Sequence, residues 1–287
     1  MNKAIVYFID TVSPEAVVRA YEALGLELQG KVGVKVHSGE PGNQNFLRPA
    51  MWGKAVERVN GTIIESNTAY PPGRNETAVH WETMRNNGWT DMAPVDILDA
   101  GGELSLPVRD GVRIEEDFVG SHLAEYDSVL VLSHFKGHPM GGFGGALKNI
   151  SIGIASSHGK LHIHCAGDAD LKFAAQDAFL ESMADASSAV MDYLSGRIAF
   201  VTVMANMSVD CDCCAVAEDP AIADIGVLAS LDPVALDQAC LDLVYASKDP
   251  GRDHLVERIE SRNGLHTVEV AEQEGVGTRE YELVRLN

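Results

Sequence analysis

The stretch 128–149, SVLVLSHFKGHPMGGFGGALKN, decides how this chain is read. Its opening, Ser128–Leu132, is an unbroken apolar run that ends directly in Ser133-His134. A continuous run of this kind, as opposed to an alternating one, marks a strand buried on both faces of a largely parallel sheet. The seventeen residues that follow it, 133–149, crowd together His134, His138, Lys136, Lys148 and the glycines Gly137, Gly141, Gly142, Gly144 and Gly145. In open α/β sheets ligands sit beyond the carboxyl ends of the strands, so the loop lies where a site is expected. Its glycines let the backbone approach a ligand or take positive φ. It is not a phosphate loop, because Gly-x4-Gly-Lys-Ser/Thr is absent.

The same pattern recurs along the chain. Ile5–Ile9, Val32–Val36, Thr62–Ile64, Asp96–Leu98, Ile198–Ala205, Ile225–Leu228 and Thr267–Val270 read as further strands. Helices lie between them. Ser13-Pro14 supplies a cap and a first-turn proline for Glu15–Leu24, and Asp232-Pro233 repeats the signal for a helix through Tyr245. The longest helix is expected from about Asp168 to Leu194, stopped by Gly196. The fold class is therefore α/β, with largely parallel or mixed sheets flanked by helices. We read residues 1–287 as one family domain of two packed lobes, 1–120 and 121–287.

Composition narrows the function. The chain has 287 residues, 42 acidic against 22 basic, for a net charge of −20. So negative a surface repels phosphate backbones and argues against a nucleic-acid partner. No segment approaches the ~20 apolar residues needed to span a bilayer, and the N-terminal apolar run is too short for a secretory signal. The expected compartment is the cytoplasm, where five cysteines need not form disulfides. An acidic α/β protein of this size is often a homo-oligomer.

Two clusters of ligand-type residues stand out. HGKLHIHC, 158–165, places His162 and His164 on one face if Leu161–Cys165 is extended, an arrangement in which both imidazoles can reach one ion. The alternative is a half-exposed polar strand face. DCDCC, 210–214, sets Cys211, Cys213 and Cys214 within four residues, flanked by Asp210 and Asp212. Thiolates favour zinc and iron–sulfur clusters, and a metal site groups its cysteines where a disulfide framework spreads them. A four-cysteine site would also need Cys165. Cys240, at helical spacing with Leu236 and Leu243, reads as core.

Four motifs carry a family resemblance: LSHFKGHPMGGFGGALKN (132–149), VKVHSGEPGN (34–43), ESNTAYPPGRNET (65–77) and CDCC…DIGVLASLDPVALDQA (211–239). Together they closely resemble the domain-of-unknown-function family 362 (DUF362), over about Lys35 to Val244. Many members look like iron–sulfur proteins with ferredoxin-type cysteine motifs between the HGK region and CDC. This chain departs there, with no cysteine from Ala166 to Asp210. A second resemblance, over some thirty residues, is to the nickel-pincer lactate racemase family. It implies that His138, Lys148 and His164 contact a cofactor.

The expectation is a metal- or iron–sulfur-dependent enzyme acting on a small anionic molecule. His134, His138 and Lys148 are the candidate catalytic groups. Gly141, Gly142, Gly144, Gly145, Lys35 and Arg74 would bind the cofactor, and His37, Glu40 and His80 would contribute from the other motif loops. Cys211, Cys213, Cys214, His162, His164 and Cys165 are the candidate ligands for a cluster or for Fe, Zn or Ni. A cluster would bring a redox partner protein. The alternatives are a non-catalytic carrier or assembly factor for metal or cluster, and a nickel-pincer racemase of a hydroxy acid.

Overall fold

The apolar runs assemble into one sheet. A computed structural model describes residues 3–71 and 73–287, so Met1, Asn2 and Pro72 of the 65–77 motif lie outside the described residues. The strands in chain order are β1 (Ala4–Ile9), β2 (Val32–Lys35), β3 (Thr62–Glu65), β4 (Val95–Ile97), β5 (Glu103–Pro107), β6 (Glu116–Gly120), β7 (Ser128–His134), β8 (Lys136–His138), β9 (Gly142–Gly144), β10 (Ile198–Met204), β11 (Gly226–Ser230) and β12 (Tyr281–Arg285). Eight of them form the sheet, in the order β12-β1-β11-β10-β7-β2-β3-β4. Only β11 runs against its neighbours; the remaining pairings are parallel. β5/β6 and β8/β9 are separate antiparallel pairs.

The helices are α1 (Pro14–Ala23), α2 (Pro49–Arg58), α3 (Thr77–Asn86), α4 (Trp89–Met92), α5 (Ala146–Ile150), α6 (Ser157–His164), α7 (Gln176–Tyr193), α8 (Pro233–Ala246), α9 (Arg252–Ser261) and α10 (Leu265–Gln273). They cover both faces of the sheet. On the all-buried β7, Val129 and Val131 join the core formed with α5, α7 and α8, whereas Leu130 and Leu132 join the core formed with α1 and α2. This period of two is the pleat, and it explains why the strand carries no polar face. Strands from both sides of residue 120 share the sheet.

The chain reverses its winding beside β7. From β2 it steps to β3 and β4 on one side, while β7 and β10 lie on the other. A crevice opens at such a switch point, beyond the carboxyl ends of the strands.

Two expected caps form as read: Ser13 Oγ accepts from Ala16 N at 3.1 Å, and Asp232 Oδ1 from Ala235 N at 2.9 Å. Three segments differ from the sequence reading. Leu161–Cys165 lies mostly in helix α6, which Ser156 starts by accepting from Gly159 N at 2.9 Å. Residues two apart on a helix diverge by about 200°, so His162 and His164 face different neighbours. Thr267–Val270 belongs to α10; its β-branched residues are buried against α7, and packing overrides their strand preference. The long helix begins at Gln176 because Asp168 turns the preceding segment on itself, its side chain accepting from Asp170 N at 3.0 Å and its carbonyl from Leu171 N at 3.1 Å.

Two buried carboxyls lie among the pieces that frame the crevice, and one of them holds a helix. Asp237 of α8 accepts from Ala146 N at 2.7 Å and Leu147 N at 2.9 Å, and so caps α5 from outside. Gly145 must lack a side chain here, since a Cβ would stand 2.3 Å from Asp237 Oδ1. Asp117 of β6, packed beside α6, is fully buried with neither oxygen hydrogen-bonded. Burial pushes its pKa up to about 8.

Asp237→Ala strands two buried amides and should cost about 1–3 kcal/mol for each, read by denaturant unfolding. Asp117 gives a pH signature. Its folded-state pKa lies above the unfolded value, so its contribution is full below about pH 4 and lost as pH rises through about 8. The stability of the wild type relative to Asp117→Asn should therefore fall across that window, in unfolding curves at acid, neutral and alkaline pH.

Candidate active site and metal group

Beyond the carboxyl ends of β2, β3 and β7 lies a cavity of about 300 Å3. Four separate loops wall it. The β2 loop brings His37, the β3 loop Tyr70 and Arg74, the β7 loop His138 and Lys148, and the loop after β10 brings Cys213 and Cys214. α6 adds Lys160 and His164.

Charge is arranged in buried pairs. Lys35 Nζ donates to Glu65 Oε2 at 2.7 Å and to Asn149 Oδ1 at 3.1 Å. Arg74 Nε donates to Glu40 Oε2 at 2.8 Å, and its Nη1 lies 3.5 Å from Glu65 Oε1. Burial opposes ionisation of Glu65, but Lys35 and Arg74 prevail and hold its carboxyl well below the usual range. Asp212 is the third buried acid. It lies 2.8 Å from both His134 Nδ1 and Lys136 Nζ. Burial again works against the charge, and His134 and Lys136 keep it ionised.

Five basic side chains thus line the cavity, and only three are paired. Lys148 and Lys160 have no carboxylate partner among the described residues. Lys160 is buried, and its Nζ donates to Ala155 O at 2.5 Å. Burial brings its pKa down to about 7. In a chain of charge −20, the cavity presents uncompensated positive charge.

The histidines differ in what they offer the cavity. His138 Nδ1 accepts from the amides of Met140 at 3.1 Å and Gly141 at 2.8 Å, so its proton sits on Nε2, which points at Cys213 Sγ 3.7 Å away. His164 is the reverse: Nδ1 donates to Lys160 O at 2.6 Å, leaving an Nε2 lone pair free. Burial lowers the pKa of both to about 4, so both are neutral at pH 7. His134 lines the cavity too, but both its nitrogens are engaged, by Asp212 and by Ala205 O at 2.6 Å, and it holds the loop.

His138, Cys211 and Cys213 place their ligating atoms within 4.8 Å of one another, a group that could hold a metal ion. Two thiols and an imidazole suit a soft or borderline transition ion. The fit is complete for the sulfurs. At His138 the Nδ1 acceptor bonds oppose it, because metal-bound histidines ordinarily donate from the second nitrogen.

The other sequence-derived residues are placed as follows. Gly144 and Gly145 line the cavity, and Gly141 holds His138 by its amide. Gly142 serves packing: it has φ +79°, and a Cβ would lie 2.8 Å from Gly264 Cα. Cys214 lies on the cavity wall. Cys165 is not brought to the other cysteines; its thiol donates to Leu171 O at 2.9 Å. His162 packs edge-on to Phe118, outside the cavity, with ring centroids 5.1 Å apart. His80 is buried, its Nδ1 3.2 Å from Asn67 Oδ1. All five cysteines are free.

Sequence reasoning missed Lys160, Glu65, Tyr70 and the inward role of Asp212. Glu65 and Tyr70 lay inside a quoted motif, and Lys160 inside HGKLHIHC, so position in the motifs was the available signal.

An open α/β sheet with a cavity at its switch point, and with His138, Cys213 and Cys214 in the cavity wall, defines the class of protein. The family model described as a domain of unknown function, DUF362, matches residues 32–242, and the chain belongs to that family. No curated protein matches the sequence. Among solved structures, the lactate racemase apoprotein from Thermoanaerobacterium thermosaccharolyticum is 14% identical at a TM-score of 0.43, covering 69% of this chain and 50% of that one. A protein from Thermotoga maritima is also 14% identical, at a TM-score of 0.41, covering 92% of this chain and 60% of that one. The chain thus spans half to three-fifths of the length of these structures. No helix among the described residues is long and apolar enough to cross a membrane.

Lys136 and Lys148 should respond differently to substitution. Lys136→Met removes a partner of the buried Asp212 and should cost about 3 kcal/mol in denaturant unfolding. Lys148→Met breaks no ion pair and should stay within about 0.5 kcal/mol of the wild type.

Proposed function

We propose that this protein is an enzyme acting on a small anionic molecule, with a transition metal held by Cys211 and Cys213 beside the bound substrate. The carrying observation is the convergence of His138, Cys211 and Cys213 within 4.8 Å at a cavity that also bears two unpaired lysines. Lys148 and Arg74 are suited to a carboxylate or phosphate. The neutral His138 offers a proton at Nε2, and the neutral His164 an acceptor at its own Nε2.

Cys211 and Cys213 would hold the ion, with Cys214 in reach on the same turn. Iron, zinc and nickel all accept thiolate donors. When bound, the ion supplies Lewis acidity next to the substrate. His138 then serves as an N–H donor to sulfur, the role its seating favours. A single ion fits better than a four-cysteine cluster, since the Cys165 thiol is committed elsewhere. A cavity lined by buried, paired charges favours an enzyme over a carrier that only passes its metal on.

Purification without oxygen, followed by elemental and acid-labile sulfide analysis, tests this. The expected result is a transition metal near molar equivalence, no sulfide, and loss of the metal in Cys211→Ala and Cys213→Ala. Protein that is metal-free and fails to take up added zinc, iron(II) or nickel(II) would overturn the metal reading.

A further inference from the structure

We propose that Lys160 is a covalent centre: its amine forms an imine with the carbonyl of a small aldehyde or keto acid bound in the cavity. This rests on the reading of the cavity as the site of a small anion. Four observations carry it. Lys160 lines the cavity from the first turn of α6 and is 6% exposed. Three of the other basic groups around it, Lys35, Arg74 and Lys136, bury their charge against carboxylates, and Lys160 does not. Its one hydrogen bond is to the carbonyl of Ala155, which a neutral amine can make as well as an ammonium. Burial disfavours a charge there and outweighs the pull of Asp99 and Glu65, with Lys35 and Arg74 adding a smaller repulsion.

A buried ammonium without a counter-ion is costly, and the cheaper state is the free amine. Burial accordingly brings the group near neutrality at physiological pH, against the weaker pull of Asp99 and Glu65. A neutral lysine in a water-poor pocket is a nucleophile for carbonyl carbon. Lys148, the other unpaired cation, is left to hold the carboxylate of the same molecule.

The step balances without a further reagent. The amine nitrogen bonds to the carbonyl carbon, and the π pair moves to oxygen, which is protonated. The oxygen then leaves as water with both amine hydrogens, giving the C=N bond. Nothing is oxidised or reduced. The imine, once protonated, acidifies the adjacent C–H, as isomerisation or carbon–carbon bond cleavage requires.

Reductive trapping tests this. The full chain is incubated separately with glyoxylate, pyruvate and glycolaldehyde phosphate at neutral pH, reduced with cyanoborohydride, and read by intact mass and peptide mapping. The expected result is a single adduct on the peptide bearing Lys160. It should form on the order of a hundredfold faster than on surface lysines, which are almost fully protonated at that pH. Lys160→Arg, checked for folding by circular dichroism, should lose it; Lys54→Arg, on the exposed side of α2, should keep it. Labelling spread over surface lysines, a label on Lys148 alone, or no labelling by any of the three probes overturns the proposal, and the wild-type map decides this even if the variant misfolds. Because trapping and metal content are separate readouts, wild type that binds metal but does not trap removes the imine alone. Wild type that traps without metal removes only the metal.

Discussion

The carboxylate of Asp212 is the point on which the site depends. It is buried between His134, at the end of β7, and Lys136, at the start of β8, and its backbone carbonyl accepts from Glu40 N at 2.9 Å. One residue therefore joins the loops that follow β2, β7 and β10. It also sits between Cys211 and Cys213, and its inward side chain fixes the turn from which the two thiols face His138. A buried acid is tolerable only when paired and hydrogen-bonded, and removing either side leaves an uncompensated charge. The cysteine motif is anchored by the aspartate that interrupts it.

The electrostatics divide between surface and interior. The chain as a whole carries −20, yet the cavity holds more bases than acids. Field lines concentrate in a low-dielectric cleft, so the positive charge of the cavity is felt most strongly inside it.

The sheet was legible in the sequence because its strands are buried on both faces. Ser128–Leu132 and Ile198–Ala205 were legible from composition, since apolar runs that do not alternate with polar residues have few other uses. The capped helices were legible from Ser13-Pro14 and Asp232-Pro233 for an equally local reason. HGKLHIHC was not, because alternating His and apolar residues satisfy a strand, whereas the Ser156 cap and contacts with β6 settle a helix. The members of the site came from motif position, but their chemistry did not. Whether a histidine presents a proton or a lone pair depends on which nitrogen the backbone has already claimed, and Lys160 lacks the carboxylate that pairs with Lys35.

The cavity is walled by loops drawn from residues 35 to 214, joined through parallel crossovers. None of these contacts is local, so loop-closure entropy has to be met before any of them forms, and this kind of topology folds slowly. The cavity wall is absent from chains whose sheet has not formed and arises together with the sheet. Whatever occupies it binds the native state alone and shifts the unfolding equilibrium in proportion to the logarithm of its concentration. The occupant would then act as a structural part of the protein, and chains made in its absence would be the first to reach the cell's proteases.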